Sequence, residues 1–195
     1  MKLTSRFAGA VRAALIAASL VLGIATADEA RAQAGQYYSV QEVDDAGHGF
    51  FGATSGALAS AVERVFSKYG MPNGYILGQE AGGAFIGGLR YGEGKLHTKN
   101  AGGHPVYWQR PSVGFGYGLE GNRTMMLVYN LPTIDFVYNR FFGVSGSAYA
   151  IGGLNVTALT RQGVNIIPIS TGIGARLGVN LSYLKMTRMP VANPF

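Results

Sequence analysis

The chain contains no cysteine among its 195 residues. Disulfide bonds, a thiol nucleophile, thiolate metal ligands and a lipid anchor on cysteine are therefore excluded. A domain of this size can bury a sufficient core without disulfides, even in an oxidising compartment. The absence of cysteine thus removes several classes of chemistry without arguing against a stable fold.

Charged residues are also scarce, at 13% of the chain. From residue 35 onward, twelve lysines and arginines and eight aspartates and glutamates leave a net charge of +4, and these residues are scattered along the sequence. A nucleic-acid partner is not expected, because such partners are bound by clustered basic residues. A mild positive field is compatible with an anionic lipid or polysaccharide, but an ordinary solvated surface with uneven charge is the simpler interpretation.

Residues for metal binding or acid–base catalysis are few. His48 and His104 are predicted in glycine-rich loops and His97 on a strand, none with the i, i+4 spacing to a second ligand that marks a helical metal site. Glu80 and Glu93 flank the first glycine-rich strands and could face each other as an acid–base pair. Position at a turn or rim is the simpler interpretation of both. We therefore expect no metal, no cofactor and no enzymatic activity.

Long apolar runs are confined to the N-terminus. Three basic residues precede an apolar segment at 13–23, and Ala-x-Ala sites end at Ala27 and at Ala34. This is the pattern of a cleaved secretory signal peptide, and the apolar segment falls short of the ~20 residues that a membrane-spanning helix needs. We predict a signal peptide at 1–34, with the earlier site as the alternative, followed by a single domain at 35–195 in the periplasm.

Glycine is abundant, with 30 residues, and its use is clearest in the stretch 112–130. Large residues alternate with glycine over 112–119, which predicts a strand with one packed face. A turn at 120–122 leads into an apolar run at 125–129, which predicts a strand buried on both faces. A glycine face allows another backbone or a ligand to approach closely, or marks a sharp bend at a barrel corner.

Two helices are predicted. Apolar residues at i, i+3, i+4 and i+7 define one buried face over 55–69, and Gly70 ends that helix. A second helix is predicted over 132–142, because proline suits the first helical position. Segment 35–52 is predicted to be irregular, with an edge strand at 37–40.

Short strands account for most of the remaining chain. Their predicted ranges, with a turn at 92–94 and a loop at 100–111, are 75–79, 84–91, 95–98, 145–151, 154–160, 165–170 and 171–186. Eight or so such strands predict a small barrel or a sandwich. We favour a mainly β fold with two α-helices, built as a small glycine-rich barrel, because glycines inside strands relieve crowding where strands bend to close a small radius.

The order of these segments resembles a known family. Glycine-rich strands at 84–96, the aliphatic run that ends at 128–130 and glycine-rich segments at 143–153 and 173–181 resemble the SYLF lipid-binding domain, a small glycine-rich barrel with helices. Nearly the whole mature chain, and most clearly the segments 52–88 and 124–132, resembles the envelope integrity protein A (EipA) family still more closely. The resemblance implies a periplasmic SYLF-like barrel that supports the cell envelope by binding lipid, with no established chemistry.

The predicted loop at 100–111 carries the strongest candidates for ligand contact. Trp108 beside Arg110 suits a carbohydrate or lipid headgroup, and also packing across a barrel mouth. Arg176 lies on the minor face of the last predicted strand. Inside a barrel it would need a partner and would mark a binding site, whereas outside it would be solvated. The candidate ligand-contact residues are therefore Trp108, Arg110 and Arg176, and no catalytic residue is assigned.

Three functions fit these observations. The first is a non-enzymatic periplasmic protein that supports envelope integrity by binding lipid, polysaccharide or another envelope component. The second is a small outer-membrane barrel, which the alternation at 171–186 favours and the proline-containing tail disfavours. The third is an envelope hydrolase that uses Glu80, Glu93 or a histidine.

Overall fold

The computed structural model describes residues 36–52, 56–82, 89–111, 121–144, 147–171 and 183–193. The predicted signal peptide lies outside these ranges. So do Arg176 and the parts of the predicted strands that fall on 83–88, 112–120 and 172–182.

An antiparallel barrel dominates the fold. Its strands and their extensions are β1 (Gly74–Gly82), β2 (Leu89–Thr98), β3 (Gly102–Pro111), β4 (Gly121–Tyr129), β5 (Arg140–Gly143), β6 (Tyr149–Ile151), β7 (Leu154–Val156), β8 (Leu159–Arg161), β9 (Val164–Thr171) and β10 (Tyr183–Thr187). The sheet order is β4-β1-β2-β3-β10-β5-β8-β9, and pairing of β4 with β9 closes eight strands into a barrel. The β6–β7 hairpin extends the sheet from the end of β9. The prediction of a barrel of about eight strands is confirmed.

Two helices accompany the barrel, α1 (Val40–Phe51) and α2 (Gly56–Tyr69). Helix α2 is the helix that apolar spacing predicts, and its buried residues are Leu58, Ala61, Val62, Val65 and Phe66.

Helix α1 corrects the prediction of an irregular segment with an edge strand. It begins with a capping box, in which Ser39 and Glu42 each bond the other's backbone N–H. It ends where the Arg123 guanidinium donates to the carbonyls of Phe50 and Phe51 at 2.9 Å, which suits a cation at a helix C-terminus. Its glycines obscured it in the sequence. Gly47 is needed for close packing, because a Cβ there would lie 2.8 Å from Cδ2 of Leu58.

The predicted helix at 132–142 is wrong. The chain forms a 3-10 turn at Ile134–Val137 and then strand β5. Phe141 is fully buried inside the barrel, whereas Phe142 is 55% exposed on the outer wall. This alternation is the period of a strand, and burial of Phe141 outweighs the helix-start signal of the proline.

Two further strand boundaries differ from the predictions. Strand β2 continues through the predicted turn at 92–94, and β3 occupies the predicted loop at 100–111. Glycines in 92–94, and glycines and prolines in 100–111, indicated turns, but long-range pairing with neighbouring strands holds both segments extended. The predicted strand at 154–160 is divided into β7 and β8.

The wall of the barrel separates two apolar cores. One lies inside the barrel and includes Ile76, Leu96 and Met126. The other lies between the outer wall and the two helices and includes Leu58 and Leu127. Strand β4 contributes to both cores, so its burial on both faces is confirmed.

Glycines inside the barrel make room for Trp108. A Cβ on Gly92 would lie 2.1 Å from Cε2 of the indole, and one on Gly78 would lie 2.6 Å from Cη2. Gly94 faces Gly78 across the β1–β2 pair, and a Cβ on Gly94 would lie 2.4 Å from the carbonyl oxygen of Leu77. We call Gly78, Gly92 and Gly94 the glycine slot. Close approach by a side chain and by backbone is therefore the reason for these glycines.

Filling the glycine slot should destabilise the protein. We expect Gly92→Ala to lower the free energy of unfolding by about 1–3 kcal/mol, because the added methyl group overlaps the Trp108 indole. Urea unfolding monitored by circular dichroism measures this. Gly49→Ala is the matched control, since nothing lies within 4 Å of its added Cβ in helix α1. It should stabilise the protein by roughly 0.5–1 kcal/mol. Equal effects of the two substitutions would contradict the packing argument.

The capping box should make stability depend on pH. The Ser39 backbone N–H, the Lys99 ammonium and the Ser39 hydroxyl lower the pKa of Glu42 from 4.5 to about 2. Because the folded pKa is lower than the unfolded one, the stabilisation is present above pH 4.5 and is lost as the pH falls towards about 2. Wild type should therefore exceed Glu42→Gln in urea midpoint at neutral pH and converge with it near pH 2. A constant difference across this range would contradict the assignment.

Candidate functional site

A buried carboxylate organises one end of the barrel interior. Glu80 on β1 is 1% exposed, and its Oε1 accepts a hydrogen bond of 2.8 Å from Nε1 of Trp108. Its Oε2 lies 2.5 Å from Nη2 of Arg110 and 4.0 Å from Nη1 of Arg90. A buried charge is tolerated when it is paired and hydrogen-bonded, so this network explains how an ionised side chain fits inside the wall.

The network revises the sequence-based view of these residues. Trp108 and Arg110 lie on strand β3, not in a loop, and both point to the interior side of the wall. Their contact with a ligand remains a prediction, as does that of Arg176, which lies outside the described ranges. Glu93 stands opposite Gln79 in the register, whereas Glu80 stands opposite Gly92. Glu80 and Glu93 therefore face opposite sides of the wall, and the proposed acid–base pair is wrong.

Two of the three histidines take different positions from those expected. His48 lies in α1, where its Nδ1 is 3.2 Å from Oδ2 of Asp44, one helical turn earlier. This i, i+4 carboxylate was missed because α1 was missed. His97 is on strand β2 as predicted, and His104 is on β3, where Nε2 lies 2.9 Å from the carbonyl oxygen of Ala101. Across the described ranges, no group of three or more His, Asp or Glu side chains is placed to hold a metal ion.

The C-terminal tail, residues 188–193, crosses the outer wall of the barrel. The Tyr91 hydroxyl donates to the carbonyl oxygen of Ala192 at 2.9 Å, and Nζ of Lys185 donates to that of Asn193 at 2.8 Å. Nε2 of Gln109 donates to the carbonyl oxygen of Val191. Each of these three bonds ends on a main-chain oxygen of the tail, so side chains of the wall hold the tail by its backbone.

A groove lies between this tail and the wall, with a volume of about 700 Å³. Consecutive residues of three neighbouring strands form its floor, and the tail forms one side. The lining residues are Gln79, Glu80, Ala81, Tyr91, Gly92, Glu93, Tyr107, Trp108, Gln109, Pro190, Val191 and Ala192. We call this the tail groove. Its volume lies in the usual range of small-molecule sites, roughly 300–1,000 Å³.

The floor of the tail groove alternates aromatic and polar side chains. In one row of the sheet Tyr91 is opposite Gln109, and in the next row Glu93 is opposite Tyr107. Tyr91 and Tyr107 are therefore diagonal neighbours, and Glu93 and Gln109 form the other diagonal. Diagonal neighbours in an antiparallel pair lie within reach of long side chains. One ligand lying on this floor would meet two aromatic rings and two hydrogen-bonding groups.

Gln109 carries an unused acceptor at this floor. The side chain is 2% exposed, and Oε1 has no hydrogen-bond partner within the described part of the chain. The bond to Val191 fixes which amide atom is which, because only the NH₂ group can donate to a carbonyl. A buried acceptor without a partner costs roughly 1–3 kcal/mol, so a ligand that donates to Oε1 would recover free energy there.

Sequence reasoning named Glu80, Glu93 and Trp108 but missed the other side chains of the tail groove. Tyr107 and Gln109 could have been found by treating 102–111 as a strand, because they alternate with the interior residues Val106 and Trp108. The tail could not have been placed in this way. Its contacts are long-range bonds to backbone atoms, which leave no local pattern in the sequence.

Fold and groove together define a small antiparallel barrel with an apolar interior core, a helical layer on part of its wall and a ligand-sized groove on another part. The chain belongs to the envelope integrity protein A family, whose sequence model matches residues 36–195. Membership implies a role in the integrity of the cell envelope.

Comparison with solved structures supports this assignment. The chain is 57% identical to a beta-barrel-like, uncharacterized protein from Brucella abortus whose crystal structure is known. The match covers 82% of this chain and 99% of that chain, with a TM-score of 0.75. No curated protein matches the chain. Among the described residues, neither helix has the length and apolar character needed to cross a membrane.

Breaking the Glu80 network should cost stability. We expect Glu80→Gln to lower the free energy of unfolding by about 1.5–3 kcal/mol, because Arg110 and Trp108 lose a charged acceptor inside the wall. Urea unfolding provides the measurement. Glu93→Gln on the exposed outer face is the matched control and should stay within about 0.5 kcal/mol of wild type. If the two variants were equally stable, the network would not contribute to folding.

Proposed function

We propose that this protein is a non-enzymatic, periplasmic binding protein that supports envelope integrity by holding an envelope component in the tail groove. The component is a lipid or a polysaccharide of the envelope. The observation that carries this proposal is the groove itself, which offers about 700 Å³ of space on the outer wall. The floor of the groove lies on strands, not on loops, which supports a preformed site.

The distribution of apolar residues favours this function over an outer-membrane barrel. Membrane barrels carry an apolar belt outside and a polar interior. Here an apolar cluster with Ile76, Leu96 and Phe141 lies inside, and helices α1 and α2 pack against part of the outer wall. Gln79 and Glu93 are exposed on another part of that wall. This arrangement supports a protein surrounded by water.

The positions of the acidic residues support a role without catalysis. The Glu80 carboxylate accepts hydrogen bonds from Arg110 and Trp108 inside the wall, and Glu93 faces the other side. The Asp44–His48 pair is the arrangement most similar to a catalytic dyad that the described residues offer, and it lies on helix α1, away from the tail groove. We therefore assign no catalytic step to the protein.

We expect the resistance of cells to detergent to depend on the tail groove. In a strain that lacks the gene, wild type should restore resistance to detergent, whereas Tyr91→Ala combined with Tyr107→Ala should not. The double substitution removes both aromatic rings from the groove floor. The measurement is growth in the presence of detergent, with equal amounts of each protein confirmed in the fluid that osmotic shock releases.

Two controls make this test specific. Tyr37→Ala removes a tyrosine that does not line the groove and should restore resistance fully. His48→Gln should also restore it, and failure of this variant at normal abundance would contradict a non-enzymatic role. Full resistance with the double groove variant would contradict the proposal as a whole.

The fluid released by osmotic shock also tests the location. Absence of the chain from this fluid would contradict the periplasmic location, and the mass of the released protein should correspond to a start at Gly35.

A further inference from the structure

We propose that the ligand of the tail groove is an uncharged glycan. This inference rests on the proposed function, because it names the class of component that the groove would hold. The argument uses the alternation of the floor, the unused acceptor of Gln109 and the charges of the lining residues.

The alternating floor matches the surface of a sugar ring. A pyranose presents C–H groups on its faces and hydroxyl groups around its edge, so it offers apolar and polar surface within one ring. Tyr91 and Tyr107 supply aromatic surface for the faces, while Glu93 and Gln109 lie between them on the same floor. The bond from the Tyr91 hydroxyl to Ala192 holds one of these rings in place before a ligand arrives.

Hydrogen-bonding capacity points in the same direction. Oε1 of Gln109 is an acceptor without a partner in the described chain, and the Glu93 carboxylate accepts only. Gln109 therefore lacks a donor already, and Glu93 needs donors once a ligand displaces its water; sugar hydroxyl groups are donors. Hydroxyl groups also accept, so the two amide protons of Gln79 would have partners as well.

An acyl chain fits this floor less well. Methylene groups cannot donate to Gln109 or Glu93, so an acyl chain would leave the buried Gln109 acceptor unpaired and would desolvate the Glu93 carboxylate without compensation. An acyl chain binds better to an uninterrupted apolar surface. The alternation of Tyr91, Glu93, Tyr107 and Gln109 prevents one.

An anionic headgroup fits less well for a different reason. None of the lining residues in the described part of the chain is a lysine or an arginine, and Glu93 is among them. Phosphate and carboxylate groups are bound through arginine, lysine or clustered backbone N–H groups. A ligand without charge avoids repulsion by Glu93.

The test is calorimetric titration of the purified protein with uncharged oligosaccharides. The probes are cellotetraose, laminaritetraose and chitotetraose, followed by a wider array of uncharged oligosaccharides. Palmitate and vesicles of phosphatidylglycerol are titrated in parallel. Fluorescence of Trp108, the single tryptophan of the chain, gives a second readout from the interior side of the groove wall. We expect at least one sugar to bind and neither lipid probe to do so.

Variants assign the binding to the groove. Glu93→Leu and Tyr107→Ala should each weaken sugar binding by about tenfold, the loss expected for one hydrogen bond or one stacked ring. Tyr107→Phe keeps the ring and should bind like wild type, which separates loss of contact from loss of folding. Tyr37→Ala, outside the groove, should also bind like wild type.

The outcomes separate this inference from the proposed function. Binding of palmitate or vesicles that depends on Tyr107 would overturn the glycan assignment and leave the groove as the binding site. Sugar binding that no groove variant weakens would also overturn the assignment. Failure of every sugar and lipid probe, together with full resistance of cells that carry Tyr91→Ala and Tyr107→Ala, would overturn the proposed function itself.

Discussion

Packing of the Trp108 indole into the glycine slot is the contact on which the rest of the structure depends. The ring occupies the space that side chains would need at Gly78 and Gly92, and its Nε1 holds the Glu80 carboxylate that pairs with Arg110. The same three strands carry the tail groove on their other face. Because successive side chains of a strand point to opposite sides, the interior contact fixes which residues remain outside to form the groove floor.

The local sequence pattern predicts an element correctly where its buried residues follow one helical or strand period without interruption. Helix α2 shows the apolar spacing of one buried face, and β4 shows an apolar run that meets both cores. The number of short strands and the glycines within them were also sufficient for the barrel, because few other folds use both. In these cases the sequence signal and the tertiary contacts agree.

The remaining elements were decided by contacts that the local sequence does not show. Gly47 in α1, the glycines of β2 and the prolines of β3 suggest breaks, yet another part of the chain packs closely or pairs at each of them. The opposite orientations of Glu80 and Glu93 depend on the register of β1 with β2, which no window of sequence contains. Within the candidate site, Trp108 stands out in the sequence as an aromatic residue near an arginine, whereas Gln109 needed the position of the tail to become noticeable.

The way in which the tail is held has an evolutionary consequence. The three bonds from side chains of the wall end on the main-chain oxygens of Val191, Ala192 and Asn193, so these bonds do not require particular side chains at Val191 and Ala192. Relatives can therefore exchange residues at positions such as Val191 while the tail keeps its path. Variation at the C-terminus would then change one side of the groove without disturbing the barrel, so related proteins could diverge in what they recognise while keeping a common fold.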